Sequence, residues 1–416
     1  MTEWQTEKLS NLLAVSIGGI WGEEAGEAEV DVSVVRVTEL KAHGRIDPSS
    51  AVTRSVTLKQ LSSRELQEGD LLLEKSGGGP NSPVGRVGYF SQEGTRTVCS
   101  NFMQLMRPDP SKVLPKYLFL FLDGFHSNGG TIPMQTATTN IRNIKTPQYM
   151  DIEVPVPPID EQYKIVELLE DHLSRLDATF TELKKTKLMC STLLAASLKS
   201  IVESVPPEYR PLSDVVHKIE AGKSFSCLGR PAEGDEWGVI KVSAMTWGEF
   251  LSTENKAAPL SYNPPPQHKI NKGDILISRA NTQKYVGATV LVKNEPGRLL
   301  LSDKSLRIVP KSNTDATWLV AVLSSPKTRE AISNQATGNE DSMRNISQRN
   351  LLGIHVPVPR DLAGQLQVTN ALALVESGIA SNLKIIEQSL SRTLQFRRKL
   401  LYSAFVGQQS KEVVSV

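Results

Sequence analysis

Polar and basic side chains recur in loop-forming segments, where they could bind an extended anionic polymer. Arg, Asn and Gln present forks that suit the edges of nucleic-acid bases, whereas Lys, Arg, Ser and Thr suit phosphates. In the first half of the chain the candidates are Lys41, His43, Arg45, Lys75, Arg86, Arg96, Thr139, Asn140 and Arg142. In the second half they are Lys218, Lys223, Arg279, Asn281, Gln283, Lys284, Arg344 and Asn345. The alternative for each residue is a solvated surface side chain, so the two groups carry more weight than any single member.

Several segments resemble catalytic motifs but lack a residue that the chemistry requires. Asn-Pro-Pro-Pro at 263–266 resembles the Asn-Pro-Pro-aromatic loop of adenine methyltransferases, whose ring stacks on a flipped base, but its fourth residue is proline. Ala-Gly-Lys-Ser at 221–224 resembles the end of a P-loop, which needs glycine where this chain has His217. The glycines at 77–79 lack the following Gly-Lys, and the six histidines show no triad pattern with Asp and Ser. The sequence therefore indicates no catalytic site.

Composition sets broad limits. The 416 residues allow two or three domains, and a net charge of +2 neither requires nor excludes a nucleic-acid partner. Cys99, Cys190 and Cys227 form no Cys-x-x-Cys pair, which favours ordinary thiols in a reducing compartment over a metal site or disulfides. We find no signal-peptide pattern, and no run approaches the roughly 18 apolar residues of a membrane helix. We therefore expect a cytoplasmic protein with no membrane partner.

The elements that position these loops occur twice. Ile-Glu-Val-Pro-Val-Pro at 152–157 returns as Ile-His-Val-Pro-Val-Pro at 354–359, and Gly-Asp-Leu-Leu-Leu at 69–73 returns as Gly-Asp-Ile-Leu-Ile at 273–277. Residues 100–108 match 302–310. Strand-like runs at 30–37, 70–74, 86–91 and 102–106, and a helical run at 115–122, indicate a mixed α/β unit. A chain built from two copies of one unit should carry two copies of one site.

Each unit is followed by a long helical segment. Residues 159–204 contain neither glycine nor proline, and a seam at steps of three and four predicts a helix packed on a partner helix. The seam residues are Val166, Leu169, Leu173, Leu176, Phe180, Leu183, Lys187, Cys190, Leu194, Ser197 and Ile201. A second stripe consists of Ile379, Leu383, Ile386, Leu390, Leu394, Leu401 and Phe405. If a pseudo-twofold axis relates the units, the two helices run antiparallel and hold the units apart.

These motifs together resemble the DNA-specificity subunit of type I restriction-modification systems. The resemblance covers essentially the whole chain, and the order, spacing and duplication of the motifs make it specific. Its residues are Gly-Asp-Ile-Leu-Ile-Ser-Arg at 273–279, Tyr-Val-Gly at 285–287, Leu-Ser-Asp-Lys at 301–304, Val-Pro-Val-Pro-Pro-Ile-Asp-Glu-Gln at 154–162 and Arg-Arg-Lys-Leu-Leu-Tyr-Ser-Ala-Phe-Val-Gly at 397–407. The second copy lacks the Glu-Gln pair of 161–162, which leaves the start of its helix less certain.

The resemblance implies two target recognition domains joined and spaced by two antiparallel coiled-coil helices. We expect recognition domains at 1–158 and 206–359, spacer helices at 159–205 and 360–408, and a tail at 409–416. It also implies double-stranded DNA with a split recognition sequence as the ligand, and two methyltransferase (modification) subunits and restriction (motor and nuclease) subunits as partners. The chain itself would bind no cofactor and catalyse no reaction, because S-adenosylmethionine, ATP and Mg would bind the partner subunits. The alternatives are a stand-alone DNA adenine methyltransferase and a coiled-coil scaffold without DNA specificity.

The long helices carry two features whose role the sequence leaves open. The basic clusters at 184–187 and 397–399 could face DNA phosphates between the two half-sites, or could be ordinary exposed faces. Leu188, Met189, Leu193 and Leu198 could dock a methyltransferase helix, or could belong to the helix packing.

Overall fold

The computed structural model describes residues 4–78, 83–92, 96–138, 141–204, 206–224, 226–259, 262–338 and 343–405. It comprises two compact units. Unit 1 contains residues 1–183 and 387–416, and unit 2 contains residues 184–386. Each unit thus includes part of both long helical segments, whereas the division into recognition domains, spacers and tail stays a prediction. No helix among the described residues is long and apolar enough to cross a membrane.

The described residues of the first half of the chain form twelve strands and four α-helices. In chain order they are β1 (Thr6–Lys8), β2 (Leu13–Gly18), β3 (Val30–Val35), β4 (Val52–Val56), α1 (Leu58–Arg64), β5 (Leu71–Glu74), β6 (Ser76–Gly77), β7 (Val87–Tyr89), β8 (Thr97–Cys99), β9 (Met103–Pro108), α2 (Pro115–Ser127), β10 (Gln135–Thr138), β11 (Ile141–Ile144), α3 (Thr146–Met150), β12 (Glu153–Pro155) and α4 (Ile159–Ser204).

The second half repeats this order with small changes. Its elements are β13 (Glu208–Pro211), β14 (Val216–Ala221), β15 (Gly238–Ile240), β16 (Asn255–Ala257), β17 (Ile275–Ser278), β18 (Ala280–Asn281), β19 (Thr289–Leu291), β20 (Leu299–Leu300), β21 (Ser305–Pro310), α5 (Ala316–Ser324), α6 (Pro326–Gln335), β22 (Arg344–Asn345), α7 (Gln348–Leu352), β23 (His355–Val358) and α8 (Leu362–Phe405).

The sheets show that the two units share one topology. The four-stranded sheet of unit 1 has the order β2-β9-β5-β7, and that of unit 2 has the order β14-β21-β17-β19. A three-stranded sheet accompanies each, β4-β3-β8 in unit 1 and β16-β15-β20 in unit 2. In both small sheets one pairing is antiparallel and the other is parallel. The predicted mixed α/β class and internal repeat are confirmed.

Each unit packs helices on its larger sheet. In unit 1, Leu71 and Met106 of the sheet lie in one buried cluster with Leu118 of α2. In unit 2, Ile275 and Trp318 occupy the corresponding cluster. Central strands that are buried on both faces have apolar side chains at consecutive positions. Leu71–Leu73 and Ile275–Ile277 therefore show no alternation of apolar and polar residues.

Both units enclose parts of the two long helices. In unit 1, Leu169 and Leu173 near the start of α4 share the core with Leu400 and Leu401 near the end of α8. In unit 2, Val202 near the end of α4 shares the core with Val368 and Leu372 near the start of α8. The start of one helix is thus packed in the same core as the end of the other, as expected for antiparallel helices.

A buried glutamine fixes the start of each long helix to its unit. The side-chain oxygen of Gln162 accepts a hydrogen bond from the backbone N–H of Leu114, at 2.8 Å, and its amide donates to Pro157 O, at 2.9 Å. Gln365 accepts from the N–H of Asp315, at 2.7 Å. Leu114 and Asp315 are the N-cap residues of α2 and α5. The second helix therefore begins with the same anchor, although the preceding glutamate is absent.

Candidate nucleic-acid interface

The loops that carry the candidate residues meet at a backbone junction that occurs in both units. In unit 1 the N–H of Lys75 donates to Phe102 O, at 2.9 Å, and the N–H of Ile144 donates to Lys75 O, at 2.8 Å. In unit 2 Arg279 donates to Lys304 O, at 2.9 Å, and Ile346 donates to Arg279 O, at 3.0 Å. Lys75 and Arg279 therefore occupy equivalent positions.

The strands beside this junction bring further candidates together. Arg142 on β11 pairs with Gly77 on β6, and Arg344 on β22 pairs with Asn281 on β18. The guanidinium of Arg142 also donates to the side-chain oxygen of Gln135, at 3.3 Å. Lys75, Arg142, Arg279, Asn281 and Arg344 are all partly exposed. The paired strands and the residues that join them therefore present these side chains at the surface.

A glycine holds the end of the neighbouring strand against this junction. A Cβ atom added to Gly19 would lie 2.2 Å from Ser100 O, and one added to Gly222 would lie 2.3 Å from Leu301 O. Only glycine allows the backbones to approach this closely. The Gly-Lys-Ser segment that resembles a P-loop thus owes its glycine to packing.

Three candidates lie close to a carboxylate inside their own unit. Arg86 makes two hydrogen bonds to the buried carboxylate of Glu74, at 2.7 and 3.2 Å. His43 Nε2 lies 3.5 Å from an oxygen of Asp177 on α4. Lys218 Nζ lies 2.6 Å from an oxygen of Glu220. Of the three, Arg86 binds a buried carboxylate and therefore has a structural role.

The remaining candidates that the structure describes are all exposed. They are Lys41, Arg45, Arg96, Lys223, Gln283, Lys284 and Asn345. The Lys41 ammonium donates to Thr38 O, at 2.8 Å. Thr139 and Asn140 lie outside the described residues. The exposed cations lie at the surface, where a phosphate could reach them.

The basic cluster at 397–399 contains one structural residue. The Arg397 side chain is only 7% exposed, and its guanidinium nitrogens lie 3.0 Å from Asp123 and 3.2 Å from Asp177. This ion pair joins α8 to α2 and α4 within unit 1. Burial raises the pKa of Asp123, whereas the nearby charge of Arg397 favours its ionised form.

Sequence reasoning missed an apolar groove in unit 1, which we call the unit 1 groove. It encloses about 500 Å³. Its lining residues are Trp21, Arg36, Val37, Thr38, Ser76, Gly77, Ser100, Asn101, Phe102 and Ile141. Phe102 is 52% exposed, and its equivalent in unit 2 is Lys304. This departure from the repeat was the signal that could have revealed the groove.

One wall of the groove is stiffened by a buried carboxylate. Arg36 donates to Glu39 at 2.8 Å, and the hydroxyls of Thr38 and Ser50 donate to Glu39 at 3.0 and 2.9 Å. Burial raises the pKa of Glu39, but these hydrogen bonds outweigh burial and lower the pKa to about 2. The carboxylate is therefore ionised at neutral pH, and it already uses the polar groups of Arg36 and Thr38.

The described residues contain no cluster of three His, Cys, Asp or Glu side chains that could hold a metal ion. Burial raises the pKa of the Cys99 thiol to about 12. Cys99 therefore stays protonated at neutral pH and is a poor nucleophile.

The fold and the interface define a class of protein built from two copies of a mixed α/β unit, each continuing into one long helix. A solved structure described as "Structural basis underlying complex assembly and conformational transition of the type I R-M system" shares this fold, with a TM-score of 0.73, 15% identity and coverage of 98% of both chains. The HsdS subunit of Thermoanaerobacter tengcongensis matches with a TM-score of 0.52, 16% identity and coverage of 97% of both chains.

Residues 1–188 match the family model described as the type I restriction modification DNA specificity domain. The EcoEI specificity subunit of Escherichia coli is 30% identical over 199 residues, which are 47% of this chain and 32% of that protein. The EcoKI specificity subunit of Escherichia coli K12 is 24% identical over 66% of this chain and 61% of its own length. The alignments thus span about a third and three fifths of these relatives. Residues 1–188 are thus similar to this DNA specificity domain, and both relatives are specificity subunits of type I restriction enzymes.

Proposed function

We propose that this chain recognises a split DNA sequence, and that each unit reads one half of it. The duplicated junction carries the proposal, since it places Lys75 beside Arg142 in unit 1 and Arg279 beside Arg344 in unit 2. Guanidinium groups on rigid strands suit bidentate bonds to guanine in a major groove. The backbone junction is the same in both units, but the side chains around it differ. This difference suits two units that read different bases.

The long helices would then set the distance between the half-sites. Adjacent half-sites one helical turn of DNA apart have centres about 34 Å from each other. Each wrong base pair costs about 1–3 kcal/mol, so a protein that requires both halves discriminates better than one that reads a single half. Specificity would come from both sequence and spacing.

Methylation and cleavage would belong to partner subunits. We propose that two methyltransferase subunits and the restriction subunits bind this chain, and that they carry S-adenosylmethionine, ATP and Mg. Leu188, Met189 and Leu193 on α4 are 69%, 61% and 56% exposed, and this apolar patch would suit a partner helix. Leu198 instead packs against the core of unit 2. A cytoplasmic location stays a prediction.

Selection of bound sequences from a random duplex library tests the proposal, with the full chain and its methyltransferase partner present. The wild-type chain should enrich two short specific segments separated by a spacer of fixed length. Arg142→Gln and Arg344→Gln change equivalent residues, so each should relax one half-site and leave the other intact.

Enrichment of no sequence at all would contradict the proposal and favour a scaffold without DNA specificity. Transfer of methyl groups to DNA by the purified chain alone would favour the stand-alone methyltransferase.

A further inference from the structure

The unit 1 groove has a composition that is unusual for a surface facing DNA. Trp21, Phe102 and Ile141 on its walls are 38%, 52% and 52% exposed. Duplex DNA offers apolar groups to a protein mainly as thymine methyls in the major groove, or as the faces of unstacked bases. An apolar groove among DNA-reading loops therefore needs one of these two groups as its occupant.

The size of the groove favours a whole base. Pockets of about 300–1,000 Å³ enclose ring-bearing ligands, and the unit 1 groove encloses about 500 Å³. A single methyl group would fill only a small part of that space. An aromatic side chain on the wall also offers a stacking face, which every nucleobase can use.

The groove is also lined by a residue whose buried hydroxyl has no partner in the described part of the chain. Ser100 is 1% exposed, lines the groove, and its hydroxyl has no hydrogen-bond partner among the residues that the structure describes. A buried polar group without a partner costs stability. The neighbouring Arg36 and Thr38 already donate to Glu39, and the Ser100 hydroxyl is one of the polar groups of the groove that a ligand edge would engage.

The duplicate unit shows that this arrangement is specific to unit 1. At the positions equivalent to Trp21 and Phe102, unit 2 carries Ser224 and Lys304. The hydroxyl of Ser302, which matches Ser100, lies 3.2 Å from the hydroxyl of Ser305. At these equivalent positions, unit 2 therefore has no aromatic side chain, and its serine hydroxyl lies within hydrogen-bond distance of another hydroxyl.

We propose that the unit 1 groove accepts one unstacked nucleobase from the half-site that unit 1 reads. The base stacks on the Phe102 ring and directs a polar edge to the Ser100 hydroxyl. This inference rests on the proposed function, because it needs DNA bound across the loops of unit 1.

A mismatch scan tests the inference once the target sequence has been selected. In each duplex, the strand that carries the recognised base keeps its sequence. The complementary strand carries one changed base, which creates a single mismatch. Because a mismatched base needs less energy to leave the stack, binding should tighten about tenfold at one position in the unit 1 half-site. Loss of the stacking face in Phe102→Ala should weaken binding about tenfold and abolish this gain. Lys304→Ala, at the equivalent position of unit 2, should leave the gain unchanged.

Ser100→Ala distinguishes a role in base recognition from a purely structural role. It removes a hydroxyl that has no partner, so thermal stability should not fall, whereas discrimination among bases at the mismatch-sensitive position should decrease. Sequence-specific binding without tightening by any mismatch would overturn this inference and leave the proposed function standing. An effect of Phe102→Ala that disappears when thymine is replaced by uracil would also overturn it, because a methyl contact would then suffice.

Discussion

The buried amide of Gln162 gives a sharp test of how the long helix is attached to unit 1. Replacing Gln162 with Leu keeps a similar volume but removes both of its hydrogen bonds, to Leu114 N and Pro157 O. Each buried group left unpaired costs about 1–3 kcal/mol, and the added apolar burial returns about 1 kcal/mol. We therefore expect Gln162→Leu to lower the free energy of unfolding of unit 1 by about 1–5 kcal/mol.

Two measurements report this loss. Scanning calorimetry should show a lower unfolding temperature for unit 1, by about 2–4 °C for each kcal/mol. Hydrogen exchange should show lost protection at the Leu114 amide, the donor that Gln162 satisfies. Gln365→Leu should have the matching effect on unit 2 and the Asp315 amide, whereas the exposed Gln367→Leu on the same helix should change little. Unchanged protection at Leu114 in Gln162→Leu would refute the reasoning.

Three further predictions concern charge and spacing. Because the pKa of Glu39 is lowered from 4.5 to about 2, its carboxylate stabilises unit 1 by about 3 kcal/mol above roughly pH 5, and this contribution is lost as the pH falls towards 2. Unfolding free energies measured between these pH values should show that Glu39→Gln abolishes this part of the dependence. Arg86→Gln leaves Glu74 buried without its cation and should lower the free energy of unfolding, measured by chemical denaturation, by about 3–5 kcal/mol. The exposed control Arg96→Gln should weaken DNA binding and leave the free energy of unfolding nearly unchanged. Insertion of about four residues, one helical turn, at 184–187 should change the length of the spacer in the DNA selected from a random library. Both half-sites should be preserved, and altered half-sites would contradict the assigned role of the helices.

The duplicated architecture could be predicted because it depends on patterns that recur along the chain. The Val-Pro-Val-Pro motifs mark equivalent edge strands, β12 and β23. The spacer helix expected at 159–205 corresponds to α4, which begins at Ile159 and ends at Ser204. The predicted strands are present, with ends displaced by one or two residues. The helix expected at 115–122 extends to Ser127, because Gly124 packs against Leu401 and does not end the helix.

The interface could be predicted only in part, because local sequence does not show which cations have internal partners. Arg86 and His43 stay predicted DNA-binding residues, but each also has a carboxylate neighbour far along the chain. Glu74 lies 12 positions from Arg86, and Asp177 lies 134 positions from His43. The unit 1 groove was missed for a related reason. Its walls come from residues 21, 37, 102 and 141, which only the folded chain brings together.

Genome-wide mapping of methylated adenine, in host cells with and without this chain, tests the central claim most directly. We expect methylation that depends on the chain at one motif with two specific segments separated by a fixed number of unspecified base pairs. A continuous motif without such a spacer, or a methylation pattern that does not change when the chain is removed, would contradict the account of a duplicated reader held by two helices.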